Sequence, residues 1–150
     1  MGFLKIFLFK KQKSLEKLIP LKTINKTDII HRINHAIDEA CLAEGSVEEF
    51  IAGQKDFSSW GSGYILGSKN TVVEKLAEHL VAIQPNFLWI EPAKNWDWQQ
   101  SNLEGFCLHI DASLAGSKAG FYLGKFPQET FGVFGHGINE VEREFQQLSF

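Results

Sequence analysis

Phe106-Cys107-Leu108-His109-Ile110-Asp111 alternates two kinds of side chain, with Phe106, Leu108 and Ile110 on one side and Cys107, His109 and Asp111 on the other. A period of two is the pattern of a half-buried β-strand. Downstream, residues 115–120 (Ala-Gly-Ser-Lys-Ala-Gly) read as a turn, Phe121 to Lys125 pairs back as an antiparallel hairpin, and Thr130 to Phe134 adds another strand. Upstream, Phe87 to Ile90 is a short apolar run closed by Pro92 and reads as a buried strand, and Tyr64 to Leu66 reads as another inside the turn-rich stretch from Asp56 to Gly67. The second half of the chain is expected to build an antiparallel sheet.

Helical spacing surrounds these strands. Ile29, Ile30, Ile33, Ala36, Ile37, Ala40 and Cys41 mark a helix from about Asp28 to Ala43, capped by Asn25 or Thr27 and ended by Gly45. Ser46-Val47-Glu48-Glu49 reads as a capping box opening a short helix that stops at Gly53. Val72, Val73, Leu76, Ala77, Leu80 and Ile83 form an apolar stripe behind a cap at Asn70 or Thr71, stopped by Pro85. A last helix carries Ile138, Val141, Phe145 and Leu148 on one side. The regular strand-helix alternation of a doubly wound fold is absent. The expectation is an α+β two-layer sandwich, an antiparallel sheet with helices packed on one face, formed as a single domain over residues 1–150.

At 150 residues, 44% hydrophobic and 22% charged, the chain suits one core. Most of its 13 phenylalanines must lie inside, with a few kept for a partner. A net charge of −3 argues against a generic nucleic-acid binder, which carries a basic stripe for phosphates. The exception is local: Lys5, Lys10, Lys11, Lys13, Lys17, Lys22 and Lys26 leave the rest of the chain acidic, a body that tolerates a basic partner. Cys41 and Cys107 have no CxxC neighbour and are expected as free, buried thiols, which points to a reducing, cytoplasmic setting.

Residues 1–20 form an apolar and basic segment whose docking the sequence leaves open. Phe3 to Phe9 is too short for a transmembrane helix and lacks the flanks of a signal peptide. It reads as a core strand or a docked helix, with a membrane-surface anchor as the alternative.

No catalytic or metal motif passes a check of its spacing. His31 and His35 stand one helical turn apart with Asp38 and Glu39 a turn further on, but Arg32 occupies the position where a zincin carries its glutamate base. Solvated histidines on a polar helix face are the plainer reading. Gly61 to Thr71 imitates a phosphate loop, yet Gly63 and Gly67 are too close together and Ser68 intervenes before Lys69. Gly135-His136-Gly137 before the last helix invites an anion, or is simply a turn. Cys107, His109 and Asp111 suggest a nucleophile, base and orienting acid. Side chains on one strand point the same way, however, so convergence would need Ser62 or Ser117 from another element. No cofactor or metal site is expected, and no enzymatic activity.

The best binding signal is aromatic. Trp96-Asp97-Trp98, with Trp60 nearby, can anchor a contact, since tryptophan brings large area at low entropic cost. Trp96 and Trp98 can equally cap an open sheet edge. Glu48 and Glu49 add acidic surface that would steer a basic partner.

The opening Met1 to Lys13, MGFLKIFLFKKQK, followed by a small acidic α+β domain, resembles bacterial immunity proteins that block a cognate toxin. Those proteins share no diagnostic motif, so the resemblance assigns no site residues. It implies a cytoplasmic protein-binding module that neutralises a basic, toxin-like partner, with Trp60, Trp96, Asp97, Trp98, Glu48 and Glu49 at the contact. The alternative from a different class is a small enzyme or ligand-binding protein using His109 and Asp111 on a polar sheet face.

Overall fold

The computed structural model describes residues 19–20, 25–56, 63–93, 105–114 and 116–138. In chain order these form β1 (Ile19–Pro20), α1 (Lys26–Ala40), α2 (Val47–Asp56), β2 (Tyr64–Ser68), α3 (Lys69–Ile83), β3 (Phe87–Pro92), β4 (Cys107–Leu114), β5 (Ser117–Phe126) and β6 (Thr130–Gly135). The strands make one antiparallel sheet in the order β1-β3-β4-β5-β6-β2. The α+β class, with helices packed on an antiparallel sheet, is thus the one expected. The expected last helix lies outside the described residues apart from Ile138, which is buried in a turn.

Each helix starts where a side chain satisfies its first free N–H groups. Asn25 Oδ1 accepts from the Asp28 N–H at 2.9 Å, and Asp28 Oδ2 reciprocates toward the Asn25 N–H at 3.4 Å, closing a capping box. At α2, Ser46 Oγ accepts from the Glu49 N–H at 3.1 Å. The cap of α3 is Ser68, whose Oγ accepts from the Thr71 N–H at 3.4 Å, rather than Asn70 or Thr71. β2 therefore runs directly into α3 and leaves no loop for a phosphate.

The helix ends differ from expectation. α1 stops at Cys41, in the left-handed region at φ 48°, ahead of Gly45. Gly45 serves packing instead: a Cβ there would collide with the Phe106 ring. α2 runs through Gly53 to Asp56, because Gly53 is buried and a lone glycine only weakens a helix that packing supports. In the β4–β5 connection, Ser117 to Gly120 belong to β5, so the turn is tighter than residues 115–120.

Sheet register sorts the side chains onto two faces. On one, Leu88, Ile90, Leu108, Ile110, Ala112, Phe121, Leu123, Val133 and Ile65 meet Ile29, Ile33 and Ile37 of α1 and Val72, Val73, Leu76 and Leu80 of α3. Burying each such side chain contributes roughly 1.5–3 kcal/mol, which makes this layer the main source of stability. Lys26 ties the two helices together, 3.0 Å from Glu74 and 2.9 Å from Glu78.

The opposite face refines the two-layer picture. α2 sends Phe50 onto it, fully buried, edge-on to Phe126 at 5.2 Å and to Phe134 at 4.8 Å. Gly124 and Gly132 make the room: a Cβ on Gly132 would stand 3.0 Å from Phe50 Cε1 and 2.6 Å from Leu66 Cδ2. β4 is buried on both faces from Cys107 to Ile110, not half-buried as its alternation suggested, with Phe50 packed in the cluster at its Cys107 end. Among the cysteines, Cys107 is buried as expected, whereas Cys41 is exposed at the end of α1.

Candidate functional site

The α2 side of the sheet divides into bands that follow the register. At one end the row Cys107–Gly124–Gly132–Leu66 lies beneath Phe50. The next row, Glu91–His109–Tyr122–Phe134–Tyr64, crosses five strands. In it the His109 imidazole stacks on Tyr122 with centroids 4.6 Å apart and planes 6° from parallel, and Tyr122 stacks on Phe134 at 5.2 Å. Aromatic pairs opposite one another on neighbouring strands stabilise the sheet and fix its register.

Beyond this row the face opens. Trp89 stands opposite Asp111, and Phe87 opposite Ser113, which pairs in turn with Lys118. These residues and Glu91 line a hollow of about 260 Å³. Phe87 is 43% exposed, an unusual cost for a phenylalanine, and Asp111 keeps a third of its surface. Asp111 is also the hinge between the bands: its Oδ1 lies 3.1 Å from His109 Nε2. The carboxylate thus borders the buried row and also lines the hollow.

Sequence reasoning named His109 and Asp111 and missed Phe87, Trp89, Glu91, Ser113 and Lys118. The run Phe87-Leu88-Trp89-Ile90 ahead of Glu91 reads as uniformly apolar until its alternate members are separated. Leu88 and Ile90 enter the helical core, leaving Phe87, Trp89 and Glu91 on the open face.

The other candidates fall as follows. Trp60, Trp96, Asp97 and Trp98 lie outside the described residues, as does Ser62. Glu48 is exposed and Glu49 half-buried in the first turn of α2. Cys107 is fully buried in the cluster with Phe50, Phe106 and Phe126, which removes it from any substrate. Ser117 sits five positions along β5 from Tyr122, the partner of His109, or about 16 Å away at strand spacing. Among the described residues the nucleophilic grouping therefore does not converge.

His35 lies 3.3 Å from Glu39 and Asp38 3.6 Å from Lys69, and no three acids, histidines or cysteines gather to hold a metal among the described residues. The His136 and Ile138 N–H groups donate to Gly120 O and Gly135 O, and His136 O contacts His79 Nε2 at 2.7 Å, so that turn is a structural clasp. No helix among the described residues is long and apolar enough to cross a membrane.

No protein-family model, curated protein or solved structure matches the chain.

Proposed function

We propose that this protein is a binding module that engages a partner protein through the open end of the sheet face, around Phe87, Trp89 and Asp111. The carrying observation is the exposed Phe87 beside Trp89 at a hollow that also holds Asp111 and Glu91. A central aromatic anchor with charged neighbours is the composition of an interface hot spot. Toxin neutralisation in the cytoplasm is the biological setting that the immunity-protein resemblance suggests, and an acidic body favours a basic partner through long-range steering.

The test is affinity capture of a tagged chain from its native cytosol, with Phe87→Ala, Trp89→Ala and Val81→Ala run in parallel. Val81 is the control because it is equally exposed, at 45%, but sits on α3. A stoichiometric protein retained by the wild type and Val81→Ala but lost from Phe87→Ala and Trp89→Ala is expected. Equal recovery by all of them sinks the proposal.

A second reading rests on the His109–Asp111 contact at the edge of the hollow, which would suit a small polar ligand. A single small molecule co-purifying with the wild type and lost with Asp111→Asn would favour it.

A further inference from the structure

We infer that the hollow on β3–β5 is a receptor for an arginine side chain of the partner, an inference that rests on the binding role proposed for this face. Trp89 and Asp111 face each other directly across the β3–β4 ladder. Glu91 is the next residue of β3 on the same face, so indole and carboxylates form one contiguous group. Residues opposite one another in such a ladder have Cβ atoms about 4.5–5.5 Å apart, and diagonal neighbours about 7–8 Å. A guanidinium laid on the indole therefore reaches both carboxylates.

Charge complementarity selects the occupant. Among the described residues the lining carries Glu91 and Asp111 against Lys118, a net negative set. Lys118 stands in the Phe87–Ser113 row, one row beyond Trp89 and Asp111 and two from Glu91, with its side chain exposed. It bounds the hollow at the Phe87 end, so the charge of an incoming cation belongs at the far end, toward Glu91. Arginine fits better than lysine. Its planar, weakly hydrated cation stacks on an indole and donates in a fork to carboxylate, whereas an ammonium is a strongly hydrated point charge.

His109 Nε2 lies 3.1 Å from Asp111 Oδ1 and its imidazole is stacked on Tyr122, so the acid borders a buried aromatic row. The 260 Å³ of space accommodates one large side chain, not a folded element. The partner's backbone would then pass over Phe87 at the rim.

The probe is N-acetyl-argininamide, titrated into the isotope-labelled full chain and followed by two-dimensional amide NMR. Its neutral citrulline counterpart and N-acetyl-lysinamide serve as comparisons. Saturable shifts at the Trp89 indole N–H and at the amides of Asp111, Ser113 and Lys118 are expected, with the citrulline compound weaker by roughly tenfold and the lysine compound between them. Asp111→Asn and Glu91→Gln should each weaken the arginine probe several-fold, while Lys118→Ala should not.

Equal binding of the arginine and citrulline probes, or no shifts at these positions, overturns the inference. Unchanged resonances of Tyr122 and Phe134 certify that a variant has folded. If the arginine probe fails while Phe87→Ala still loses the captured partner, the binding face stands and only the arginine assignment falls. If the probe binds but capture is indifferent to Phe87 and Trp89, the broader reading is the one that fails.

Discussion

His109 and Tyr122 stand opposite one another on β4 and β5 with their rings nearly parallel, 6° apart at 4.6 Å. The stack joins two parts of the molecule with different duties. Tyr122 is 1% exposed and belongs to the Phe50 cluster, while His109 reaches Asp111 at the border of the hollow. His109→Phe should therefore keep the stack and the fold, with stability within about 1.5 kcal/mol of wild type by urea denaturation. The same variant should weaken binding at the hollow, because Asp111 loses the imidazole nitrogen 3.1 Å from its Oδ1. A variant that binds normally would leave the imidazole with a packing role only.

Phe50 is the main side chain that α2 inserts into the second face. Phe50→Ala should cost about 3–5 kcal/mol, since the cavity would be walled by Phe126, Phe134 and the glycine rows. Gly132→Ala should cost about 1–3 kcal/mol for the opposite reason, overpacking against Leu66 and Phe50. Chemical denaturation of both variants checks these values, and a neutral Gly132→Ala would contradict the packing described.

Gln128 and Glu129 connect β5 to β6, both in the left-handed region at φ 62° and 57°. Side chains with a Cβ are strained there by roughly 1–2 kcal/mol, and hairpins with this backbone favour Asn-Gly. Gln128→Asn with Glu129→Gly should raise the melting temperature by several degrees. A drop would mean that the exposed glutamate is making a compensating contact.

Lys26, Glu74 and Glu78 link α1 to α3. Hydrogen bonds that Lys26 Nζ donates to Glu78 and then Glu74 raise its pKa above 10.5, and accepting that bond lowers the pKa of Glu78 below 4.5. The stabilisation from Glu78 is present above its unfolded value and is lost as pH falls through the lower, folded one. That from Lys26 is present below 10.5 and lost as pH rises through the higher, folded value. Stability profiles of Glu78→Gln and wild type should thus converge as pH falls through the lowered Glu78 value and differ modestly at neutral pH, because the bridge is exposed. A gap that persisted in acid would assign the effect to something other than this charge.

Much of the architecture is legible in the residues themselves. The stripe from Val72 to Ile83, the alternation around Ile110 and the Ser46 cap each follow from one local rule, and each marks an element that forms, although α3 is capped at Ser68 and α2 runs past Gly53. What local rules do not carry is the second layer of packing. Phe50, Gly45, Gly124 and Gly132 acquire meaning only when strands far apart in sequence come together, so β4 reads as half-buried until α2 covers it. The hollow was partly visible for the same reason. His109 and Asp111 share a strand and can be paired by eye, whereas Trp89 and Lys118 join them only through cross-strand register. Trp96 and Trp98, the strongest signal by composition, lie outside the described residues.

The most direct measurement places a photo-crosslinking phenylalanine analogue at Phe87 and, separately, at Val81, in the full chain expressed in its native cells. Among the described residues these are the exposed large hydrophobics, one on each of the two opposite layers. A single protein adduct of defined mass from position 87, absent from position 81 and abolished by Trp89→Ala, is the expected result. Adducts of the same kind from both positions, or from position 81 alone, would contradict a binding face at the open end of the sheet.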